Sequence, residues 1–369
     1  MKILIISNKV KTFSLGYQNT ISQFLKLGHE LVWAADFSGF VSGDIDKIPA
    51  KTEQISINTN PLNKTNIKAY KQLKQIIDKH SIEGIYCTTP IGGALGRLAG
   101  SSKKIRPVVY SAHGFLFFKG APLINRTVYK WEEVILARCT DALITITEED
   151  YQAAEKLKLR SGRKPYLVHG AGVNTGVTVD ISREEKRRSL DIPDGAFVIV
   201  SAGELNKNKN TEVTVRALAE MEDKDVLYLA CGVGPEKENL EKLAKELGVS
   251  DRFRLMGYRT DMAEIMACAD VFTMMSFREG MPRAVLEAMD LGLACVGSDT
   301  RGVRDLIKPE GGFICDPKDP EAFARAFKYL YDHPEDRKKM GQFNRSGVKN
   351  YSSEVVRGEL YEIFKKEFA

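Results

Sequence analysis

One stretch in the second half of the chain has the sequence Phe277-Arg278-Glu279-Gly280-Met281-Pro282-Arg283-Ala284-Val285-Leu286-Glu287-Ala288-Met289. It follows an apolar run, residues 270–275, that predicts a buried strand, and its second part predicts a helix with Pro282 in the first turn. Gly280 lets the backbone turn sharply before the helix and leaves free amides at the helix N-terminus. Such amides bind anions. The stretch therefore predicts an anion site where a strand passes into a helix.

Two carboxylates accompany this turn. Glu279 is expected at the loop tip, and Glu287, eight residues later and inside the helix, is expected on the same side about one and a half turns deeper. Carboxylates at these two levels could bind hydroxyls of two linked sugars, with a phosphate between them at the helix start. The alternative is an ion pair between Glu287 and Arg283 on a solvated helix face.

Around this stretch, short apolar runs alternate with helical patterns along the chain. The expected strands are 2–7, 30–35, 84–88, 107–111, 142–146, 197–200, 226–231, 253–256, 270–275 and 293–297. The expected helices are 16–28, 66–79, 92–100, 124–138, 148–158, 210–221, 235–247, 261–268, 282–291, 320–332 and 352–367. This alternation predicts an α/β protein with parallel strands, crossover helices and doubly wound sheets.

The length of 369 residues is too great for one ordinary core, and the strand pattern starts afresh at residue 197. We expect a first domain over 1–170, a linker over 171–195, a second domain over 196–350, and a C-terminal helix over 351–369 that returns to the first domain. Ligands of parallel sheets bind at the carboxyl ends of the strands. Two facing sheets would place the chemistry in a cleft between the domains.

Charge is distributed unevenly. Residues 1–170 contain 24 Lys and Arg against 14 Asp and Glu, a net charge of +10, in a chain whose total is +5. A basic first half predicts an anionic partner, which could be a phosphorylated substrate, nucleic acid or an anionic membrane surface. No apolar run is long enough to span a bilayer, and residues 1–8 turn polar too early for a secretory signal. We therefore expect a cytosolic protein.

A second candidate site has the sequence Ser201-Ala202-Gly203-Glu204-Leu205-Asn206-Lys207-Asn208-Lys209-Asn210. A lysine just past a strand end, at the start of a helix, is suited to neutralise a diphosphate. The alternative is a solvated turn. A third candidate is His113, which follows the strand 107–111 and is either structural or close to a ligand in the cleft.

The stretch Phe277–Met289 closely resembles the Glu-(seven residues)-Glu signature of the family 4 retaining glycosyltransferases. The resemblance covers nearly the whole chain. It implies the GT-B fold, in which two Rossmann-like doubly wound domains face each other across a cleft. The N-terminal domain would bind the acceptor and the C-terminal domain the nucleotide sugar.

The resemblance also implies roles for individual residues. Glu279 matches the Glu that binds donor-sugar hydroxyls, and Glu287 matches the Glu that binds the ribose. Lys209 matches a diphosphate-binding Lys and His113 a His near the donor sugar, so Glu279, His113 and Lys209 are expected to be catalytic. Glu204 stands where the family has an Arg, and Lys207 is the alternative source of that second positive charge. The other expected donor-binding residues are Gly16, Gly203, Gly257, Tyr258, Gly280, Met281, Pro282 and Arg283.

Three further stretches resemble a bacterial subgroup of the family: Cys87–Gly93, His113–Pro122 and Thr147–Tyr151. Members of that subgroup build capsular, exopolysaccharide or glycoprotein glycans on polyprenyl-diphosphate carriers. Their donors are often UDP-linked hexoses or N-acetylhexosamines. The expected function is therefore retaining transfer of such a sugar to a polyprenyl-diphosphate-linked saccharide. Alternatives are a GT-B UDP-N-acetylhexosamine epimerase and, because of Glu204, a nucleotide-sugar-binding protein without turnover.

Membrane contact is expected from the same assignment. The helix 66–79 carries Lys68, Lys71 and Lys74 on one side, which predicts either contact with anionic lipid at the inner face of the cell membrane or a surface helix that covers the sheet. Nucleic acid is not expected, since no aromatics are interleaved with these charges. No cofactor or metal is expected either. Asp44-Ile45-Asp46 has the spacing of a metal motif but falls in a loop outside the strand ends.

Overall fold

The computed structural model describes residues 1–40 and 45–369. These divide into two compact units, the first formed by Met1–Gly172 with Ser353–Ala369 and the second by Val173–Ser352. The first unit is therefore discontinuous in sequence. Asp44 of the Asp44-Ile45-Asp46 spacing lies outside the described residues.

The first unit is built on a parallel sheet. Its strands within the described residues are β1 (Lys2–Lys9), β2 (Glu30–Asp36), β3 (Lys51–Gln54), β4 (Gly84–Thr88), β5 (Val108–Ala112), β6 (Ala142–Thr145) and β7 (Tyr166–Leu167). They are arranged in the order β3-β2-β1-β4-β5-β6-β7. Every residue of β4 and β5 is buried, because helices cover both faces of the sheet.

The helices of the first unit up to Gly172 are α1 (Leu15–Lys26), α2 (Thr65–His80), α3 (Pro90–Ser102), α4 (Lys130–Ala137) and α5 (Glu148–Ala154). A π-helical turn, Asn125–Tyr129, precedes α4, so that helical backbone extends over residues 123–137. Alternate residues of β1 point to opposite faces: Leu4 and Ile6 pack with α2 and α3, whereas Ile3 and Ile5 pack with α1. The helices α2, α3 and α4 thus belong to one layer.

The second unit repeats this architecture. Its strands are β8 (Phe197–Ala202), β9 (Val226–Cys231), β10 (Phe253–Gly257), β11 (Val271–Met274), β12 (Ala294–Ser298) and β13 (Gly312–Cys315), and its helices are α6 (Arg183–Ser189), α7 (Thr211–Glu220), α8 (Lys237–Glu246), α9 (Met262–Ala267), α10 (Arg283–Asp290), α11 (Arg301–Leu306), α12 (Pro320–Asp332) and α13 (Pro334–Gly347). The parallel order is β10-β9-β8-β11-β12-β13. Two apolar clusters, one on each face, form its core.

The last helix, α14 (Ser353–Glu367), packs in the first unit against α1. The ring of Phe364 stacks on that of Phe24 with centroids 3.9 Å apart, and Phe368 meets Phe24 edge-on at 5.1 Å. The carboxylate of Glu359 accepts hydrogen bonds from the backbone amide of His169 at 3.0 Å and from its ring. None of the helices in the described residues is both long and apolar enough to cross a lipid bilayer.

The linker expected over 171–195 requires correction. Residues 173–195 belong to the second unit and include α6. This helix begins with a capping box between Ser182 and Glu185, and Lys186 forms ion pairs with Asp261 and Glu264. Residues 173–195 are therefore part of the folded second unit, in which Arg183 and Arg187 also form ion pairs with Asp270.

Other elements were absent from the sequence prediction: β3, β7 and β13, and the helices α6, α11 and α13. The strand β3 has the polar sequence Lys-Thr-Glu-Gln, because it lies at the edge of the sheet and none of its side chains is buried. The strand β7 has only two residues. Short or polar elements of this kind carry no apolar periodicity to reveal them.

Candidate active site

The carboxyl ends of three strands meet closely in the second unit. The amide of Gly203, after β8, donates to the carbonyl of Cys231 at 3.0 Å, and the amide of Gly232, after β9, donates to the carbonyl of Gly257 at 2.8 Å. A Cβ atom on Gly232 would lie 1.8 Å from the carbonyl oxygen of Gly203. Only glycine permits this approach. It gathers the loops after β8, β9 and β10 at one edge of the sheet.

Lys209 and Glu279 form an ion pair at this edge. The Nζ atom of Lys209 lies 2.7 Å from Oε1 of Glu279, and the two side chains are 25% and 14% exposed. The stem of Lys209 passes over Gly203, where a Cβ atom would lie 3.2 Å from Cε of the lysine. The structure thus brings Gly203, Lys209 and Glu279 together. An ammonium beside a carboxylate can offer positive charge to a phosphate and accept hydroxyl donors at the same place.

Backbone contacts hold the two loops together. The side-chain amide of Asn208 donates to the carbonyl of Arg278 at 3.0 Å, and the carbonyl of Asn208 accepts from the amide of Phe277 at 2.8 Å. Asn210 adopts a left-handed backbone conformation and donates to the carbonyls of Met275 at 3.1 Å and Pro317 at 2.7 Å. These asparagines position the Lys209 loop. The polar sequence alone indicates only a turn here, and the repetition of asparagine is the signal that marks these contacts.

The helix α10 begins one residue later than predicted. Its first helical residue is Arg283, and Pro282 is the extended N-cap residue. Gly280 and Met281 therefore form the turn that leads to the helix amides. The eight-residue separation of Glu279 and Glu287 is not a helical spacing, because only its second half is helical.

The neighbouring helix α11 buttresses this turn through two residues that sequence analysis missed. The Nε atom of Arg301 donates to the carbonyl of Glu279 at 3.1 Å. A Cβ atom on Gly302 would lie 1.3 Å from the carbonyl oxygen of Gly280. No pattern in the sequence distinguishes Arg301 and Gly302 from an ordinary helix start. They fix the backbone that carries Glu279.

Glu287 makes the contact that the sequence offered as its alternative role. Its Oε1 atom lies 3.1 Å from Nη2 of Arg283, and the Glu287 side chain is 39% exposed. Burial raises the pKa of the Glu287 carboxyl, and Arg283 opposes that rise. Because the ion pair offsets only part of the desolvation, this carboxylate gains from additional hydrogen-bond donors.

Glu204 and Lys207 lie beside the ion pair without joining it. The exposed Glu204 accepts a hydrogen bond from the side-chain amide of Asn206 at 2.9 Å. Lys207 is exposed and lines a groove of about 520 Å³ together with residues of α7, α8 and α12. Lys209 is not among the residues that line this groove. Of the two lysines expected at the diphosphate, Lys207 lines the groove and Lys209 pairs with Glu279.

Tyr258 stands next to Gly257, the last residue of β10, and is 79% exposed. Gly257 has a φ of +65°, which directs the chain away from the strand. The exposed aromatic ring is available for stacking with another flat ring system.

In the first unit, His113 and Gly16 line one recess at the carboxyl end of the sheet, together with Tyr86, Ser111 and Ala171. A Cβ atom on Gly16 would lie 3.1 Å from Cβ of Ala171, so a larger residue would narrow the recess. His113 follows β5 and retains an exposed surface. The protein around its ring disfavours the charged form and lowers the pKa of the imidazole.

No group of three or more His, Cys, Asp and Glu side chains is arranged to hold a metal ion in residues 1–40 and 45–369. Lys209, the guanidinium of Arg301 and the amides at the start of α10 supply positive charge near Glu279.

Two family models match the chain, one in each unit. Residues 36–147 match the model described as "Glycosyl transferase 4-like", and residues 182–347 match "Glycosyl transferases group 1". The solved structure of HepE from Anabaena in complex with UDP aligns with a TM-score of 0.81 at 18% identity, over 99% of this chain and 100% of that one. That similarity shows the fold.

Two curated relatives extend the comparison. The chain is 34% identical to the putative glycosyltransferase EpsD of Bacillus subtilis over 364 residues, which is 96% of this chain and 93% of EpsD. It is 29% identical to the UDP-Gal:alpha-D-GlcNAc-diphosphoundecaprenol alpha-1,3-galactosyltransferase of Escherichia coli, over 73% of this chain and 70% of that enzyme. With its two parallel-sheet units and this similarity along nearly its whole length, the chain belongs to the family 4 glycosyltransferases of the GT-B fold.

Proposed function

We propose that this glycosyltransferase moves a hexose or N-acetylhexosamine from a UDP-sugar to a polyprenyl-diphosphate-linked saccharide, with retention of the anomeric configuration, in the synthesis of a bacterial surface polysaccharide or glycan. The observation that carries the proposal is the ion pair of Lys209 with Glu279 at the carboxyl edge of the second sheet. It joins a group suited to a diphosphate with a group suited to sugar hydroxyls.

The names of related proteins support the donor and the acceptor. The E. coli relative is named for transfer from UDP-galactose to a sugar on diphosphoundecaprenol. HepE, which shares the fold, has been crystallised with UDP and with UDP-glucose. A membrane-carried acceptor also agrees with the net charge of +10 in residues 1–170, which contain 24 Lys and Arg and 14 Asp and Glu. The protein would then work at the inner face of the cell membrane without spanning it.

In the proposed mechanism, charge stabilisation replaces a metal ion. Bond cleavage places negative charge on the leaving diphosphate and positive charge on the sugar. Lys209 and the amides that begin α10 stabilise the diphosphate, as preorganised donors do in a water-poor site. Glu279 binds sugar hydroxyls, Glu287 binds the ribose and Tyr258 lies against the base. By the family resemblance, His113 is assigned a hydrogen bond to the donor sugar. The acceptor hydroxyl attacks the anomeric carbon from the face that the diphosphate leaves, and its proton passes to an oxygen of the departing diphosphate. Configuration is thus retained without an enzymic nucleophile.

The test begins with thermal unfolding in UDP, GDP, ADP and CDP, then in a set of UDP-sugars, each with and without EDTA. We expect UDP and one UDP-sugar to raise the unfolding temperature, and EDTA to leave the rise unchanged. The selected UDP-sugar is then supplied with polyprenyl-diphosphate saccharides, and the anomeric configuration of the product is determined by NMR. Stabilisation by no nucleotide would contradict the donor assignment, and hydrolysis or epimerisation without transfer would contradict the acceptor assignment.

A further inference from the structure

The helical segment 123–137 of the first unit carries an apolar stripe on its outer side. Five large side chains are exposed there: Leu123 by 75%, Ile124 by 62%, Val128 by 57%, Trp131 by 67% and Ile135 by 63%. The last four follow one another at steps of four, three and four residues, which places neighbours on one helix face. Single exposed apolar residues are ordinary, but a contiguous row of this kind marks an interaction surface.

The inner side of the same segment is firmly held. Glu133 forms two hydrogen bonds with the buried Arg97, at 2.6 and 3.0 Å. The guanidinium of Arg97 lies 4.0 Å from the centre of the Tyr110 ring. Asn125 donates to the carbonyl of Leu116 at 2.8 Å. The segment is therefore anchored on its inner side, and the exposure of the stripe is not a consequence of fraying.

Within residues 119–138 the exposed charges have one sign, although the carboxylate of Glu149 accepts a hydrogen bond from the backbone amide of Lys119 at 2.8 Å. The exposed ionic residues are Lys119, Arg126, Lys130 and Arg138. The acids of the segment turn inward: Glu133 pairs with Arg97, and partly buried Glu132 has a pKa that desolvation raises. An apolar row bordered by cations complements an anionic lipid surface, where apolar side chains enter the interface and cations meet the headgroups. A tryptophan within the row fits the same depth.

The helix 66–79, for which the sequence left membrane contact and covering of the sheet as alternatives, has a different surface. In α2 the apolar residues Leu73, Ile76 and Ile77 are buried against the sheet, and Lys68 and Lys71 lie on the solvent side. That surface carries charge but no comparable apolar row. It can attract an anionic membrane at long range, whereas the segment 123–137 can enter one.

We propose that the stripe of Leu123, Ile124, Val128, Trp131 and Ile135 docks the protein on an anionic lipid bilayer. The inference deepens the proposed function, on which its purpose rests, because an acceptor carried by a membrane lipid has to be met at the membrane. The docking itself requires neither donor nor acceptor, and it is measurable without them.

Trp131 provides the measurement. The chain has two tryptophans, and the other, Trp33, is fully buried, so a change of fluorescence on adding vesicles reports on Trp131. Vesicles of phosphatidylcholine are compared with vesicles that also contain phosphatidylglycerol. We expect a blue shift, protection from acrylamide and quenching by brominated lipid, all stronger with phosphatidylglycerol. An unchanged emission with anionic vesicles would overturn the proposal.

Variants separate the stripe from the rest of the surface. Val128→Glu with Ile135→Glu should lower partition into anionic vesicles about tenfold or more, because carboxylates would have to enter the interface. Phe343→Glu is the matched control, since Phe343 is a partly exposed apolar residue of α13 in the second unit, and it should partition as the wild type does. Undiminished partition of the double variant would contradict the proposal. If that variant fails to fold, brominated-lipid quenching of wild-type Trp131 decides.

A protein partner would give a different result. If the stripe joins two copies of the chain, sedimentation without vesicles will show a dimer that Val128→Glu with Ile135→Glu abolishes, and this would overturn the membrane assignment. Failure of vesicle binding with intact UDP binding rejects the docking surface alone. Vesicle binding without UDP binding rejects the donor assignment and leaves the docking surface standing.

Discussion

The ammonium of Lys209 lies 2.7 Å from the carboxylate of Glu279, although 70 positions separate them in the sequence. The two residues come from the loops after β8 and β11, which are neighbouring parallel strands. Each can therefore orient the other before any ligand binds. Preorganisation of this kind lowers the cost of arranging charges during the reaction.

Substitution of either partner should impair transfer strongly. We expect Lys209→Ala and Glu279→Ala each to remove more than about 2 kcal/mol of transition-state stabilisation, measured as kcat/KM. Lys207→Ala is the matched control, because Lys207 lines a separate groove, and it should have a small effect. Near wild-type turnover of both folded alanine variants would refute the site. A large effect of Lys207→Ala would instead indicate that Lys207 binds the diphosphate.

The proposed binding of the ribose by Glu287 can be distinguished from the ion pair of Glu287 with Arg283. Both Glu287→Gln and Arg283→Gln remove the ion pair, but only the first removes the carboxylate assigned to the ribose. We expect Glu287→Gln to weaken UDP binding about tenfold or more, and Arg283→Gln to change it little, since an exposed helical pair contributes about 0.5 kcal/mol or less. Calorimetric titration with UDP measures both. Equal, small effects would leave Glu287 with a structural role only.

Glu204 adds negative charge to the loop that carries Lys209. Replacing it by Gln keeps the hydrogen bond that Glu204 accepts from Asn206 while removing the charge. We expect Glu204→Gln to bind UDP more tightly by a few-fold, because a nearby carboxylate repels a diphosphate. Glu212→Gln, a change in an exposed pair with Arg216, controls for the loss of one charge elsewhere. Weaker binding by Glu204→Gln would indicate that this carboxylate contacts the donor directly.

The helix α11 packs so closely on the turn at Gly280 that we expect no side chain to fit at position 302. In Gly302→Ala the new Cβ atom would meet the Gly280 carbonyl oxygen at 1.3 Å, a backbone atom that has to move. We expect impaired UDP binding, since the displaced turn carries Glu279. Gly358→Ala in α14 is the matched control: nothing lies within 4 Å of its added methyl, and helix propensity predicts a gain of up to about 1 kcal/mol in the free energy of unfolding. Wild-type UDP affinity of Gly302→Ala would show that the turn can shift freely.

The contact of His169 with Glu359 should make stability depend on pH. Hydrogen bonding to Glu359 raises the pKa of the His169 imidazole above 6.5. The contribution is therefore complete below the unfolded-state pKa and is lost as pH rises through the folded-state pKa. The unfolding temperature of the wild type should exceed that of Glu359→Gln most near pH 5.5, and the difference should shrink by pH 8.5. A difference that grows with pH would contradict the assignment.

The accuracy of prediction from the sequence differs between elements of the fold. The expected strands 84–88 and 226–231 and the helix 320–332 coincide with β4, β9 and α12, because each has a continuous or periodic apolar pattern. The family resemblance of the stretch 277–289 is confirmed by the similarity over the whole chain. The sequence did not predict the roles of Arg301, Gly302 and the asparagines of the 206–210 loop. Their importance depends on loops that only the folded sheet brings together. The sequence also did not predict the exposure of the 123–137 stripe, because an apolar row on a helix has the same periodicity whether it faces a core or the solvent.

The packing of α14 on α1 has a consequence for synthesis on the ribosome. The stacked partner of Phe24 is Phe364, which follows it by 340 positions, and the entire second unit is translated between them. While the second unit emerges and folds as an uninterrupted segment, the first has its sheet but lacks the helix that covers Phe24 and Tyr86. A nascent chain therefore exposes this aromatic surface throughout the later part of elongation, and chaperones that recognise apolar segments have a defined interval and a defined place at which to act.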